Sequence, residues 1–392
     1  MNNTLQQGQT LSFYSAITPI IISVFFVYLT IGIVLGVIPG FVQNDLGFDN
    51  VIVGSVIGLQ FLSTLLTRAY SGKITDTKGA KRSKMIGVLL AILAGGAYVL
   101  SESLHSHPTL ALAFLIIARI VHGVGESFLI TGALAWGIGL VGHTNSGKVM
   151  TWNGIAMYAG IALGAPLSIL LVANYDLFMV LSLIVILPFF SWLATIKLPG
   201  VHVEGVKVRT PFYKVIGTVA SEGVSLAFSS MAFGCIASFI GLLFLNKSWG
   251  DASAAFLTFG VCYVLTRIFF ASFPDRFGGY KIALISLIIE IIGQTLIWTS
   301  SSKIMAIIGC GLTGVGFSLV FPALGVLALK KIEPQMRGTA LGAYVAFVDL
   351  SFGLAGPIAG LIAGWFDYET VYLFGAMSCI CSVFLLISRK RK

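Results

Sequence analysis

Charged side chains are scarce in this sequence. Of its 392 residues only 10% are Asp, Glu, Lys or Arg, whereas 57% are hydrophobic and 12% are aromatic. An average soluble domain carries about a quarter charged residues. This shortage of charge excludes a water-soluble fold and indicates a protein that crosses the membrane several times.

The sequence also lacks the patterns that mark metal, nucleotide and nucleic-acid sites. The stretch Gly309–Gly314 reads G-x-G-x-x-G, but it lies in an apolar run with no strand before it, and no Walker motif occurs. The net charge of +9 comes from Lys and Arg scattered over short loops. The five cysteines lie inside apolar runs, without disulfide or metal-ligand spacing: Cys235, Cys262, Cys310, Cys379 and Cys381. We therefore expect no cofactor, no metal site, no nucleic-acid partner and no ATP-driven step.

Twelve apolar runs are long enough to cross the hydrocarbon core as helices. The first six lie near residues 17–41, 50–71, 84–102, 109–138, 149–173 and 177–197, and the other six near 215–245, 252–272, 281–300, 303–329, 338–364 and 370–388. The predicted fold is an all-α integral membrane protein. Its predicted parts are an N-terminal six-helix bundle (1–197), a cytoplasmic linker (198–214) and a C-terminal six-helix bundle (215–392).

The loop charges predict an orientation. Lys and Arg concentrate in alternate loops, and the loops between them carry only Lys247 and Lys303. Because cytoplasmic loops are enriched in Lys and Arg, both termini are predicted to lie in the cytoplasm.

One pattern occurs twice, after the second and the eighth apolar run. Both copies are predicted to form short basic loops at a membrane face. The second copy stands 199 residues after the first and has Ala271 and Tyr280 where the first has Gly72 and Lys81. The matching residues are Arg68, Gly72, Asp76, Gly79 and Lys81 in the first copy, and Arg267, Asp275 and Gly278 in the second.

The first copy resembles the loop after the second helix of major facilitator superfamily transporters. That resemblance implies a gating loop, whose aspartate accepts hydrogen bonds from a neighbouring helix N-terminus and latches two halves together on the cytoplasmic side. The alternative is that Asp76 and its basic neighbours only mark the inner face.

A second duplicated feature combines closely spaced glycines with a proline. Such glycines allow close helix contact, and the proline bends its helix. The copy in the fifth run resembles the antiporter motif of the drug:proton antiporter branch, with one additional residue, Ala165, before the proline. The two copies are Gly160, Gly164 and Pro166 in the fifth run, and Gly353, Gly356 and Pro357 in the eleventh.

Longer strings narrow the resemblance. Tyr28–Gly32, Trp152–Gly154, Gly316–Gly325 and Asp349–Ser351 are similar to the YhhS/YfcJ-type group of bacterial permeases, which are usually described as exporters. The resemblance implies two pseudo-symmetric six-helix bundles around a central cavity, in a bacterial cytoplasmic (inner) membrane. It also implies a monomer that moves a small-molecule substrate across the lipid bilayer, with protons as the coupling ion.

Ionisable residues inside a bilayer are costly and are therefore functional candidates. Arg119, His122 and Glu126 point within about 60° of one another on the fourth predicted helix, at about 100° per residue. We interpret this stripe as a proton or substrate site. The alternatives are a salt bridge that only orders the bundle and, for His122, a hydrogen-bonding spacer.

Three more carboxylates are candidates for proton coupling. Asp349 and Glu290 lie near mid-depth in the eleventh and ninth runs, where a buried carboxyl could take up and release a proton. For Glu290 a local hydrogen bond to a Ser or Thr is the alternative. Glu222 begins the seventh helix near the inner interface, where it could simply be solvated.

Polar and aromatic positions on the central runs are the cavity candidates: Tyr28, Gly32, Ser225, Ser229, Phe317 and Phe321. Aromatic walls with few fixed charges suit an amphipathic organic solute, and drugs, sugars and metabolites stay open. We expect a secondary active transporter that works by alternating access, with proton-coupled efflux first and proton-coupled nutrient import as the alternative. A membrane-embedded enzyme lacks its nucleophile or metal cluster, and a receptor would not need duplicated gating loops.

Overall fold

The computed structural model describes residues 13–201, 212–330, 332 and 337–390, and within those ranges all regular secondary structure is helical. Twelve helices in this part of the chain are long and apolar enough to cross a membrane, as predicted. A helix satisfies its own backbone hydrogen bonds, and this is required in a membrane because hydrocarbon offers no hydrogen-bond partners. Most of the predicted linker, residues 202–211, lies outside the described residues, so the domain boundaries stay a prediction.

The first six spanning helices are α1 (Phe13–Gly40), which a π-helical turn extends over Phe41–Asp45, α2 (Asn50–Lys78), α3 (Ala80–Ser103), α4 (Pro108–Val141), α5 (Ser146–Val172) and α6 (Leu177–Thr195). The other six are α7 (Phe212–Asn246), α8 (Ser253–Phe270), α9 (Gly279–Trp298), α10 (Lys303–Leu329), α11 (Arg337–Trp365) and α12 (Thr370–Lys390), with a short helix at Phe273–Phe277 before α9.

The loop predicted after α2 is much shorter than expected. Helix α2 continues to Lys78 and α3 begins at Ala80, so Arg68, Gly72 and Asp76 are helical rather than loop residues. The polar sequence misled the prediction, because no residue before Gly79 interrupts the helix. Gly79 makes the turn with a φ of +97°, which a side chain would disfavour.

The second copy of the pattern repeats this geometry. Gly278 turns the chain with a φ of +90° between the short helix and α9. Arg267 belongs to α8, again inside a helix and not in a loop. The two glycines thus occupy equivalent turns, which supports the interpretation of a duplicated unit.

The helices form two halves, α1–α6 and α7–α12, that meet mainly along α2 against α11 and α5 against α8. Glycines allow the backbones of α2 and α11 to touch: a Cβ on Gly54 would overlap the carbonyl group of Gly356, and one on Gly58 would overlap that of Gly353. On the other side, Gly260 of α8 leaves room for Ala162 of α5. Small residues at the crossing points therefore set how closely the halves approach.

Two ends of the bundle can be distinguished. We call the end that holds the start of α1 and the end of α12 the basic end, because the loops rich in Lys and Arg lie there. The opposite end, here called the acidic end, holds the loops 46–49, 104–107, 173–176, 247–252, 299–302 and 366–369. At the acidic end a polar cluster joins the halves: Gln43 Nε2 donates to Tyr368 Oη at 2.7 Å, and Tyr368 Oη donates to Asn50 Oδ1 at 3.1 Å. The glycine contacts between α2 and α11 continue from this cluster toward the centre.

Candidate functional site

An ion pair joins the two halves inside the bundle. Arg68 of α2 donates through Nε to Asp349 Oδ2 of α11 at 2.6 Å, and its Nη2 lies 2.5 Å from the same oxygen. Both side chains are largely buried, at 14% and 8% exposure. The sequence analysis assigned Arg68 to a gating loop and Asp349 to proton coupling, and the structure brings the two together.

Glu126 of α4 lies in a separate cluster of neutral hydrogen-bond donors. Tyr28 Oη of α1 donates to Glu126 Oε1 at 2.8 Å. Gln60 Nε2 and Thr64 Oγ1 of α2 donate to Oε2 at 2.9 and 3.3 Å. Glu126 is buried, and the described part of the chain gives it no cation within ion-pair distance.

Arg119 and His122 belong to a second network beside Glu126. Arg119 donates through Nε to the Val56 carbonyl at 2.9 Å and through Nη2 to the Ile57 carbonyl at 2.6 Å. Tyr98 Oη lies 3.4 Å from both Arg119 Nη1 and His122 Nδ1. The stripe predicted on α4 exists, but its salt bridge does not form among the described residues, because α2 carbonyls satisfy the guanidinium instead.

The other two candidate carboxylates lie in the C-terminal half. Ser229 Oγ donates to Glu290 Oε2 at 2.7 Å, so Glu290 has the local serine hydrogen bond that the sequence analysis gave as an alternative. Glu222 is buried at 5% exposure and not solvated, because α7 begins at Phe212 and Glu222 lies nearly three turns into the helix, at about 3.6 residues per turn. Neither is in contact with the Arg68–Asp349 pair.

An aromatic cluster fills the centre between the halves. Tyr158 of α5 lies over Tyr263 of α8 with ring centroids 4.0 Å apart, and Phe317 of α10 packs on Tyr158 at 5.7 Å. Phe233 of α7 stacks on Phe317 at 5.8 Å, with an interplanar angle of 10°. Of the predicted cavity residues, Phe317 thus lies at the contact between the halves, whereas Tyr28 bonds Glu126 within the N-terminal half.

Four other cavity candidates face elsewhere. Ser225 Oγ lies 2.6 Å from Ser382 Oγ of α12, and Ser229 bonds Glu290 of α9, so both hydroxyls are directed into the C-terminal half. Gly32 packs on Ile161 and Gly164 of α5 inside the N-terminal half. Phe321 packs on Tyr344 with ring centroids 5.3 Å apart. Sequence alone places these residues on central helices but does not fix the rotation of each helix.

The two glycine–proline motifs make different contacts. Gly160 and Gly164 of α5 pack on α1 within one half, where a Cβ on Gly164 would lie 2.8 Å from Ile33 N. Gly353 and Gly356 of α11 pack on α2 of the opposite half. Pro166 and Pro357 both lie inside their helices, and Pro357 contacts Gly58. Only the second copy lies directly at the contact between halves.

The remaining residues of the duplicated pattern lie at the basic end. Lys81 Nζ donates to the carbonyls of Ile196 and Leu198 at 3.0 and 2.6 Å, so it caps the end of α6 within its own half. Its part in gating stays a prediction. Asp275 is exposed on the short helix, and Asp76 is partly buried in the last turns of α2. The latch function of Asp76 and Asp275 stays a prediction.

Sequence reasoning missed two polar groups. Lys84, at the start of the third apolar run, is buried and donates to the Ser191 carbonyl at 2.9 Å and to Thr195 Oγ1 at 2.6 Å. Gln60 is buried on α2 and bonds Glu126. A lysine and a glutamine within or beside an apolar run are costly to bury, and that cost was the signal available in the sequence.

Twelve helices that could span a membrane, arranged in two halves that a buried ion pair and an aromatic cluster join, are an architecture typical of membrane transporters. The family model described as Major Facilitator Superfamily matches residues 20–220 and 223–392. The chain belongs to the major facilitator superfamily. Its members move small molecules across membranes as secondary transporters, so this chain is a multi-pass secondary transporter.

Relatives with high sequence identity carry names of the same kind. A protein of Salmonella typhimurium named an uncharacterized MFS-type transporter is 39% identical over 90% of this chain and 91% of its own length. A protein of Pseudomonas aeruginosa with the same description is 41% identical over 96% of this chain and 93% of its own length. The narrower similarity to the YhhS/YfcJ-type group stays a prediction.

Solved structures confirm the fold. A D-xylose-proton symporter superposes with a TM-score of 0.74 at 16% identity, covering 95% of this chain and 97% of that chain. The human organic anion transporter MFSD10 superposes with a TM-score of 0.72 at 13% identity, covering 95% and 98%. At such low identity these similarities establish the architecture and not the substrate.

Proposed function

We propose that the protein is a proton-coupled exporter of a small organic solute that works by alternating access. In this proposal it lies in a bacterial cytoplasmic membrane with both termini in the cytoplasm and acts as a monomer. The observation that carries the proposal is the environment of Glu126, a buried carboxylate held by the hydroxyl and amide donors of Tyr28, Gln60 and Thr64.

Neutral donors suit a carboxyl group that must change its protonation state. A carboxylate locked to an arginine would keep its charge, whereas one held by neutral donors can bind a proton when sealed from water and release it when water enters. The donors come from α1 and α2, and the acceptor from α4. Movement of α1 or α2 would therefore change the hydrogen bonds of Glu126 together with its access to water.

Asp349 has a different part in the proposal. Its ion pair with Arg68 joins α2 to α11, so it holds the halves in one arrangement. When the halves separate, the pair must break or move with one helix, which links the charge state of Asp349 to the conformation. Asp349 is therefore the second candidate for the proton site.

The test begins by finding the solute and then removes each carboxyl. An untargeted comparison of internal and external metabolites, in cells with and without the protein, identifies a solute that accumulates outside only when the protein is present. Purified protein in liposomes then moves that solute under an imposed pH gradient. We expect Glu126→Gln to reduce gradient-driven transport to nearly the level of empty vesicles while solute binding persists, because Gln keeps the acceptor oxygen but cannot ionise.

The matched control is Asp349→Asn, with its folding checked by size-exclusion chromatography. If this variant abolishes coupling while Glu126→Gln transports normally, the proton site belongs on α11. Transport that follows a sodium gradient in both variants would reject proton coupling. Accumulation of the solute inside the cells would support the proton-coupled importer instead.

A further inference from the structure

The two halves carry equivalent arginines with unequal partners. Arg68 in α2 and Arg267 in α8 stand 199 residues apart in the duplicated pattern. Arg68 is neutralised by Asp349, which reaches it from α11. The prolines of α5 and α11 stand 191 residues apart, so the α5 position equivalent to Asp349 is Tyr158. Where one half has a carboxylate, the other has a tyrosine.

Among the residues that the structure describes, Arg267 is therefore a buried cation without a counter-ion. Only 6% of the Arg267 surface is exposed. Its Nη2 donates to Tyr263 Oη at 2.7 Å, and its Cζ lies 5.3 Å from the centre of the Tyr263 ring. The buried Nε of the same side chain has no hydrogen-bond partner, and no carboxylate in the described ranges lies within ion-pair distance.

Such an arrangement is expensive unless something else supplies the missing charge. A guanidinium taken out of water loses its hydration, and one neutral hydroxyl replaces little of it. The planar guanidinium also presents several N–H donors in a geometry that matches a carboxylate. Its Nε is unused, so an additional acceptor can bind there without displacing Tyr263.

Tyr263, which accepts a hydrogen bond from Arg267, belongs to the aromatic cluster between the halves. Tyr158 lies over Tyr263, and Phe317 packs against Tyr158. Tyr158 belongs to the N-terminal half, whereas Tyr263 and Phe317 belong to the C-terminal half. This aromatic wall therefore opens if α5 moves away from α8. A guanidinium next to an aromatic wall suits a molecule with an anionic group and an apolar or aromatic body.

We propose that Arg267 binds the anionic group, most simply a carboxylate, of the transported solute, whose apolar part lies against Tyr158 and Phe317. The inference rests on the proposed transport function and narrows its substrate class to amphipathic organic anions. The solute supplies to α8 the negative charge that Asp349 supplies to α2.

The first test needs no ligand. Tyr158→Asp places a carboxylate at the position equivalent to Asp349, and Tyr158→Asn removes the ring without adding charge. We expect the Asp variant to unfold at a higher temperature than the Asn variant, because only Asp can neutralise Arg267. The difference should disappear when both are combined with Arg267→Gln. Equal melting temperatures of Tyr158→Asp and Tyr158→Asn in protein that keeps Arg267 would overturn the inference.

The second test uses two probes of nearly equal shape, 4-phenylbutyrate and its uncharged amide. The full-length protein in nanodiscs is titrated with each probe, and its melting temperature is recorded. We expect only the acid to stabilise the wild-type protein. Arg267→Gln and Tyr158→Asp should each raise the Kd of the acid by about tenfold or more, the loss of one charge-assisted contact.

Three results would contradict the proposal. Equal binding of the acid and the amide would show that the protein does not recognise the negative charge. Wild-type affinity for the acid in Arg267→Gln and Tyr158→Asp would show that the anion binds elsewhere. Failure of the acid to stabilise the wild-type protein at millimolar concentration would also count against it. The transport proposal fails separately: if Glu126→Gln keeps full pH-driven transport, proton coupling at Glu126 is rejected whatever the probes do.

Discussion

The buried charges of this protein differ in how they are compensated. Arg68 forms an ion pair with a carboxylate, Arg119 donates to two backbone carbonyls, and Arg267 donates to one tyrosine hydroxyl. Within the described ranges, the hydrogen-bond donors to Glu126 are all neutral. Removing one member of a buried pair leaves an uncompensated charge, which costs more than the pair itself contributes. Each substitution therefore has to be considered together with the partner that remains.

The Arg68–Asp349 pair gives a prediction at this scale. Asp349→Asn and Arg68→Gln should each lower stability by about 3–5 kcal/mol, because each leaves one buried charge alone. The double variant should lose clearly less than the sum of the two. Thermal unfolding of the four proteins in one detergent measures this coupling, and strictly additive losses would show that the pair does not form.

At the scale of helices, the two glycine motifs have separate tasks. Gly356 and Gly353 keep α11 close to α2 across the two halves, while Gly164 and Gly160 keep α5 close to α1 within one half. In the proposed alternating access, similar sequences would thus serve a contact that changes during transport and a contact that stays fixed. The sequence-based expectation treated the two copies as equivalent.

Enlarging these glycines should have different effects. Gly164→Leu should lower the melting temperature strongly, because its side chain would meet Leu29 and Ile33 in a packed half. Gly356→Leu should leave each half folded but separate α2 from α11. Thermal unfolding and hydrogen exchange of α2 distinguish the two effects, and an equal loss of stability in both variants would contradict this division.

At the scale of the whole molecule, contacts at the acidic end hold the halves together. Tyr368, between α11 and α12, accepts a hydrogen bond from Gln43 and donates one to Asn50, both in the N-terminal half. Glycine contacts of α2 and α11 follow, then the Arg68–Asp349 pair and the aromatic cluster. Alternating access would require this series of contacts to break at the acidic end.

Tyr368→Phe should favour opening at that end. Loss of the hydroxyl removes hydrogen bonds worth about 1 kcal/mol, which corresponds to roughly a fivefold shift in population. Hydrogen exchange should then become faster in the first turns of α2 and the last turns of α11. Tyr372→Phe is the control, because the buried Tyr372 hydroxyl has no hydrogen-bond partner among the described residues. Equal exchange rates in the two variants would reject a latch at Tyr368.

The membrane class and the twelve spans could be predicted from the length and composition of local segments, because hydrocarbon tolerates only segments whose backbone hydrogen bonds are satisfied internally. The superfamily was predicted from the resemblance of the Arg68–Lys81 pattern to a known loop, not from composition. The duplicated arginines, glycines and prolines were also readable from the sequence, since a repeat is a property of spacing. Even the position of Glu126 on one stripe with Arg119 followed from helical periodicity.

Which residues contact one another could not be predicted from the sequence. Asp349 pairs with an arginine 281 residues away, Arg119 bonds α2 carbonyls and not Glu126, and Ser225 turns toward α12. The absence of a counter-ion at Arg267 became visible only once the pairing in the other half was known. Periodicity fixes the relative directions of side chains on one helix, but the rotation of that helix against its neighbours is set by packing between distant segments.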